Sequence, residues 1–464
     1  MHSRDRGRGG GPMNETEPLA HADPVAQRAL RKATWRLIPL IALGYGCSYM
    51  DRANISFASL QMNQALHFSG AVYGFGAGVF FLSYALCEVP SNLALHRFGA
   101  RRWLARIMLT WGLIAMGMLF VRTPLQFYIA RFFLGMAEAG FFPGVIFYLM
   151  QWFPPEQRAR AVSRFYVSLP LSGVFMGAVA GALLNLNGRA HLAGWQWLFL
   201  IEGIPPILLS VAFLLLLPDK PADAPWLTAA EKEWFAGSVD RTGDHIRHPT
   251  EPIHRILVDP RVWQIGIFGF LLLTSSYGYN LLLPQLVQIS THLRITYIGL
   301  ITAGINLLGV PAMLLGAKLS DRSPGKRHQH VIPCCIGMAL GLAASGFSNT
   351  PGIVIPALCC VVVSFNAMQG AWLSIIPGVF HGRSAAAAIA AVNTLCILGG
   401  FVGPYFMGLL KDLTGNYQRG LVCLSAPMLL DAAIMVYLGR QALRDAKPLV
   451  APGIIADAFE SPNL

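Results

Sequence analysis

Gly44-Tyr45-Gly46-Cys47-Ser48-Tyr49-Met50-Asp51-Arg52-Ala53-Asn54-Ile55-Ser56-Phe57-Ala58 is the second part of an apolar run that begins near Trp35. It sets an acid and a base side by side where hydrocarbon would be expected. At a bilayer centre each would cost about 2.5–3.5 kcal/mol on insertion scales. Charges in such a place need a water-filled cavity, a partner and a use. A neutralised pair pinning two helices is one reading. A site for an ionic substrate and for protons is the other, and the rest of the chain favours it.

The whole composition is that of a membrane protein. The chain has 464 residues, of which 54% are hydrophobic and only 12% charged, and its mean hydropathy is +0.51. A soluble protein of this size would carry about 25% charged residues. The formal charge of +12 would suggest nucleic acid in a soluble protein; here the excess of Lys and Arg on cytoplasmic loops accounts for it. Cysteines 47, 87, 334, 335, 359, 360, 396 and 423 all fall in apolar runs without a C-x-x-C pair. They read as small core residues, neither disulfides nor metal ligands. The first residues are polar and rich in Gly and Arg, with no apolar signal-peptide core.

Twelve apolar runs lie near 35–58, 71–94, 103–121, 125–150, 162–186, 196–217, 262–289, 296–317, 330–347, 352–378, 386–410 and 420–439. Each is long enough to cross a bilayer, which takes about 20 apolar residues. The polar segment 218–261 divides them six and six. The predicted organisation is a disordered cytoplasmic N-terminus (1–30), a six-helix bundle (31–217), a cytoplasmic linker (218–261), a second six-helix bundle (262–442) and a cytoplasmic tail (443–464). The halves echo each other. Pro143-Gly144-Val145 closes run four and Pro377-Gly378-Val379 closes run ten. His96-Arg97-Phe98-Gly99-Ala100-Arg101-Arg102 follows run two, and Asp321-Arg322-Ser323-Pro324-Gly325-Lys326-Arg327 follows run eight. Two parallel six-helix repeats define the major facilitator layout, so the expected class is an all-α polytopic membrane protein of twelve transmembrane helices in two pseudo-repeats.

Charge fixes the expected orientation. With both termini cytoplasmic, the short inner loops hold Arg97, Arg101, Arg102, Arg158, Arg160, Arg164, Lys318, Arg322, Lys326, Arg327 and Arg383, and the outer loops only Arg122, Arg189, Arg294, Lys411 and Arg419.

Four ionisable groups then converge in the N-terminal half. Asp51 is about 12 Å from the outer surface at 1.5 Å per residue. Arg131 enters run four at similar depth, and Glu138 shares its helix face seven residues on. Asp51, Arg52 and Arg131 are expected in one layer, with Glu138 near the midplane below. Ser48, Tyr49 and Ser56 share the face of Arg52, and Tyr84 lies at similar depth. These aromatics suit a polar ligand, since a ring packs while its hydroxyl donates.

The C-terminal half offers neutral amides instead: Asn280, Asn366, Gln369 and Asn393. They can hold ligand hydroxyls or join helices. Asp431 is a lone acid in run twelve; Glu88 and Glu202 lie nearer helix ends and read as structural. Arg97, Arg102, Asp321 and Arg322 stand where the halves must part on the cytoplasmic side and are the expected gating residues. There is no G-x-x-x-x-G-K-[ST], G-x-S-x-G or H-E-x-x-H, so ATP-driven pumping, α/β-hydrolase chemistry and zincin chemistry have no support. No enzyme activity, cofactor or metal is expected.

Several stretches resemble one family. Tyr49-Met50-Asp51-Arg52-Ala53-Asn54-Ile55-Ser56-Phe57-Ala58 is similar to the first-helix signature of the anion:cation symporters of the major facilitator superfamily. Tyr84-Ala85-Leu86-Cys87-Glu88-Val89-Pro90-Ser91-Asn92-Leu93 resembles that family's second helix, and the stretch from Arg131 through Glu138 to Gly144 its fourth. Gly194-Trp195-Gln196-Trp197-Leu198-Phe199 and Gly399-Gly400-Phe401-Val402-Gly403-Pro404 are similar too. The resemblance implies a secondary active transporter in a bacterial inner membrane, importing a small organic anion with protons by alternating access. Members carry tartrate, phthalate, hydroxyphenylacetate and sugar acids. By matching motif, Asp51 and Glu138 take proton-carrying roles, Arg52 and Arg131 carboxylate-handling roles, and Asn393 a substrate contact. His96 stands where the wider superfamily has Asp, which puts the geometry of the cytoplasmic latch in doubt. The expected partners are a small organic anion, protons and the bilayer, with no nucleic acid and a monomeric protein. The rivals are an exporter of organic anions or drugs on the same fold, against which the buried arginines speak for cationic or apolar cargo, and a non-transporting membrane sensor.

Overall fold

A computed structural model describes residues 24–243, 259–322, 327–379 and 385–445. The described residues are helical, joined by short turns. Span 1 is Pro24–Ala65, span 2 Gly70–Phe98, span 3 Ala100–Phe120, span 4 Pro124–Trp152, span 5 Arg160–Leu184 and span 6 Gly194–Leu216. Span 7 is the pair Pro260–Asn280 and Leu283–Thr291, bent by 45°. Span 8 is Ile295–Ser320, span 9 Arg327–Phe347, span 10 Pro351–Ile375, span 11 Ala391–Thr414 and span 12 Gln418–Gln441. Local chemistry sets the starts. The Ser69 hydroxyl accepts from the Val72 N–H ahead of span 2, Thr123 does the same for Gln126 with Pro124 at the first helical position, and Asp259 caps the helix opened by Pro260.

Ten of these helices are long and apolar enough to cross a membrane, and the bent pair makes an eleventh. Span 1 stands apart in composition because it carries Asp51 and Arg52 and a basic first third. Its 42 residues nevertheless reach about 60 Å at 1.5 Å per residue, twice a hydrocarbon core. We count it as the twelfth span. Leu208, Leu215, Leu340 and Leu413 are among the many large apolar side chains left exposed around the bundle, as a lipid-facing surface requires.

Two expected boundaries move. Helix begins at Pro24, inside the stretch 1–30 read as disordered, because Ala26, Ala29 and Ala33 form a small-residue stripe that packs away from solvent; residues 1–23 lie outside the described residues. Within the linker, Ala229–Gly243 is a helix, docked through the Lys32–Glu231 ion pair at 2.8 Å and by stacking of Trp226 on Trp152. The last helix runs to Asp445, past the expected 442.

The packing repeats itself. Span 1 packs on span 5 and span 7 on span 11; spans 2 and 4 pair as do 8 and 10, and spans 3 and 6 as do 9 and 12. The halves meet through spans 2 and 11 and through spans 5 and 8, again related by a six-helix shift. Glycines allow the approach: a Cβ on Gly74 would strike the Pro404 carbonyl, and one on Gly177 the Gly299 carbonyl.

Bonds between the halves gather at the end away from the termini. Asp412 accepts from the Gly70 and Ala71 N–H groups, both at 2.8 Å. Asn185 donates to Thr296, Gln285 to Ser59, and the Tyr73 hydroxyl to the Leu281 carbonyl at 2.7 Å. At the arginine-rich end, Arg97, Arg102 and Arg322 are exposed and make no ion pair among the described residues. The side chain of Asp321 lies outside the described residues.

Candidate functional site

Span 4 is broken where it carries its acid. Its first helix, Pro124–Glu138, ends on Glu138; Ala139 leaves helical geometry, Gly140 takes φ +86°, and a second helix starts at Phe141. Only glycine holds that backbone conformation without strain, and a Cβ there would also strike the Ser91 hydroxyl. An acid at the end of an interrupted membrane helix is how transporters present polar groups at mid-bilayer.

Glu138 is completely buried. Its Oε1 accepts from the Ser48 hydroxyl and from Arg52 Nε at 2.9 Å, and lies 2.7 Å from an Arg52 terminal nitrogen; Oε2 has no partner. The expected layering sets Glu138 one layer below the other charges, yet its side chain meets Arg52. The reason lies in side-chain direction. A helical Cα–Cβ bond tilts toward the helix N-terminus. Spans 1 and 4 run in opposite directions, so Arg52 and Glu138 lean toward each other and close the gap.

Arg52 is clamped by rings. Its guanidinium carbon lies 5.7 Å from the centre of Tyr49, 5.6 Å from Phe80 and 5.0 Å from Tyr84, each within cation–π range. Its side chain keeps 15% exposure, the one opening of the pair. Arg131 lies 4.9 Å from the same Phe80 ring and is 1% exposed. It donates long bonds to the Gly76 and Ala77 carbonyls at 3.4 and 3.5 Å, and one terminal nitrogen has no partner. Both guanidiniums, expected to handle substrate, thus lie against Phe80, Arg52 with some exposure and Arg131 with almost none. Asp51, 3% exposed, accepts from Asn54 at 3.3 Å and feels Glu138 and Arg131 electrostatically.

The remaining expected contacts divide. Asn393 donates to both oxygens of Glu88, at 3.2 and 3.3 Å, across the halves. Glu88, read from sequence as structural, belongs to the site, within electrostatic reach of Arg52 and Tyr84. Asn280 sits at the bend of span 7 facing Tyr279. Asn366 bonds the Val362 carbonyl at 2.8 Å and lies against Gly309. Neither Asn280 nor Gln369 makes a hydrogen bond or ion pair to the charge cluster, among the described residues.

Two tyrosines were missed. Tyr277 of span 7 meets Tyr49 and Arg52, and Tyr166 of span 5 meets Tyr45. The signal for the first was present: Ser48-Tyr49 recurs as Ser276-Tyr277 at the spacing that relates the other echoes. Nothing in the sequence around Tyr166 sets it apart.

A bundle of two like halves, closed at one end over a buried charge cluster, defines a membrane transporter and not an enzyme. The chain belongs to the Major Facilitator Superfamily, whose sequence profile matches residues 41–404. It is 40% identical over 413 residues to an Agrobacterium vitis protein named "Putative tartrate transporter", covering 89% of this chain and 92% of that one. It is 39% identical over 414 residues to the quinolone resistance transporter of Acinetobacter baumannii, covering 88% and 94%. Among solved structures, the xylose transporter of Escherichia coli in a partially occluded inward-open conformation overlays with a TM-score of 0.71 at 15% identity, covering 88% of this chain and 98% of that one; this likeness speaks to the fold alone.

Proposed function

We propose that the protein imports a small organic anion together with protons across a bacterial inner membrane, as a monomer with both termini in the cytoplasm. The closed end then faces outward and the structure is inward-facing. The Arg52–Glu138 pair carries the reading. One guanidinium serves two carboxylates in turn. While Glu138 is ionised it occupies Arg52, and the pair is neutral. Protonation of Glu138 frees the Arg52 charge, inside a box of Tyr49, Phe80, Tyr84 and Tyr277, for a substrate carboxylate. Proton and anion therefore favour each other's binding, and the linkage is reciprocal. On the cytoplasmic side the proton leaves, Glu138 recaptures Arg52, and the anion is displaced. Glu88 and Asn393 sit where they can receive substrate hydroxyls, and their bond across the halves must rearrange as the 31–217 and 262–442 units rock. Arg131 serves as the counter-charge to Asp51. Arg97, Arg102, Asp321 and Arg322 are the groups that would meet when the cytoplasmic end closes.

The tartrate-named relative supports a hydroxy acid as cargo, with aromatic carboxylates and sugar acids as the other candidates. Uptake of labelled tartrate, phthalate and galactonate into proteoliposomes under an inward proton gradient tests the reading. Concentrative uptake of one of them supports it; none, with active protein, would refute it. The Acinetobacter relative favours a second reading, outward transport of drugs, which predicts proton-driven quinolone efflux in the same vesicles and no concentrative acid uptake.

A further inference from the structure

Span 1 has a second charged face. Cys47, Asp51 and Asn54 fall at i, i+4 and i+7, turned from the Ser48 and Arg52 face toward spans 3 and 6. Opposite them stands Glu202 of span 6, in electrostatic contact with Asp51 and Cys47 and beside the Asn54 amide. Glu202 is 8% exposed; the Asn54 side chain is its hydrogen-bonding neighbour, but neither oxygen makes a bond of good geometry. Among the described residues no cation forms an ion pair with it. Span 3 offers Trp111, Gly112 and Met116 there, with its charged residues Arg101, Arg102 and Arg106 further toward the arginine-rich end. Span 5 has no charged residue between Ser168 and Leu184, and span 1 supplies only Cys47 and Asp51.

The unsatisfied atoms around Asp51 and Glu202 are mostly acceptors: Asp51 Oδ2, Asn54 Oδ1, Glu202 Oε1 and Glu202 Oε2, against two donors, Trp111 Nε1 and the Arg131 terminal nitrogen within electrostatic reach of Asp51. Buried acceptors without donors are costly, and two adjacent buried carboxylates cannot both stay ionised. A proton resolves both faults, since a carboxylic acid donates to a neighbouring oxygen. Counting charges leads to the same place. Glu88 aside, which is part-exposed and held by Asn393, Asp51, Glu138 and Glu202 against Arg52 and Arg131 leave one negative charge in excess, and one proton on the Asp51–Glu202 pair cancels it.

We propose that Glu202 and Asp51 share a proton that moves during the transport cycle, making Glu202 a third coupling carboxyl on the side of span 1 remote from the substrate. The pair holds one proton: as it moves, the O–H bond at Glu202 breaks while one forms at Asp51 Oδ2 and the negative charge passes to Glu202; the proton then leaves Asp51 as another is taken up by Glu202. This rests on the proton-symport reading above.

Glu202→Gln is the test, because it fixes Glu202 in its neutral form with little change of shape. A merely structural neutral acid would leave transport untouched. A mobile proton requires that counterflow at fixed pH persist while gradient-driven accumulation falls to simple equilibration. The second measurement is on the wild-type protein: a substrate-induced infrared difference spectrum should show a carboxylic-acid C=O band that moves, and Glu202→Gln should lose it. Normal accumulation with the wild-type pH profile in Glu202→Gln would overturn the proposal. If wild-type protein shows no proton-driven uptake, the symport reading fails by itself. The infrared spectrum then decides Glu202: a band that responds to substrate supports it, and an unmoved one refutes it.

Discussion

The two halves share their packing but not their chemistry. Every helix pair of the N-terminal half has its counterpart six spans later, yet only the first half builds a charge cluster. It buries Asp51, Arg131, Glu138 and Glu202 and nearly buries Arg52. The C-terminal half, among its described residues, buries one acid, Asp431, set against Cys335 and Cys396. To the site it contributes Tyr277 and Asn393. The scaffold repeat and the ionic function are thus separable. One half carries the charge cluster, and the described residues of the other face it with neutral groups.

The sharpest way to break that contrast is to change one residue on each side. Arg52→Lys should abolish anion uptake, because Lys cannot offer both the Nε and the terminal nitrogen that hold Glu138 at 2.9 and 2.7 Å. Disturbing one partner of a buried charge pair costs about 2–5 kcal/mol, at least roughly 30-fold in affinity. Gln369→Ala and Asn280→Ala should leave affinity within a few-fold. Substrate titration by calorimetry on purified protein reads both. Equal losses on the two sides would mean that the neutral wall binds as much as the charged one.

Next in size is Glu138→Gln. With Arg52 permanently released, the protein should bind and exchange substrate but fail to concentrate it, since the displacing carboxylate is gone. Counterflow and gradient-driven uptake in the same vesicles separate the two. Concentrative uptake with normal proton dependence would make Glu138 a structural acid.

Much of this was legible in the sequence, for reasons of scale. The bilayer imposes lengths, and twelve apolar runs give the spans directly. Asp51, Arg52, Arg131 and Glu138 stood out because hydrocarbon makes every charge conspicuous. What sequence spacing missed was the reach and lean of side chains: it gave depths along each helix but not that Arg52 and Glu138 tilt toward one another. It also missed the break at Gly140, since Glu138-Ala139-Gly140-Phe141 is apolar enough to read as continuous helix. Glu88 and Glu202 were discounted for lying near helix ends, although depth along a helix says nothing of which neighbour a residue faces.

A smaller effect is expected at the closed end. Asp412 caps span 2 from the other half, through two backbone N–H groups. Asp412→Ala should remove about 1 kcal/mol of cap energy and raise the outward-open population several-fold. A cysteine at buried Ser56 should then react faster with an impermeant thiol reagent added outside. Unchanged labelling would show that the Gln285–Ser59 and Tyr73–Leu281 bonds hold that end shut without Asp412.

The smallest effect concerns a pair outside the bilayer, where the halves are not compared but one is strapped. Glu231 of the linker helix is 3% exposed and bonds Lys32 of span 1 at 2.8 Å and the Thr228 N–H at 2.9 Å. Burial alone would raise its carboxyl, but the Lys32 hydrogen bond, the Thr228 bonds and the Lys32 charge outweigh burial and hold it below the usual carboxylate range. A depressed carboxyl adds stability that is fully present above its unfolded value of about 4.3 and is lost as pH falls through the lower folded value. Lys32 is 39% exposed, so solvent screens the pair and its contribution is modest. Lys32→Met should lower the unfolding temperature of detergent-solubilised protein by a few degrees at neutral pH. The gap between variant and wild type should narrow once the pH drops below the ordinary carboxylate range. A gap that stays constant with pH would mean that the Lys32 methylenes packing under the linker, and not the charge on Glu231, hold the strap to the first span.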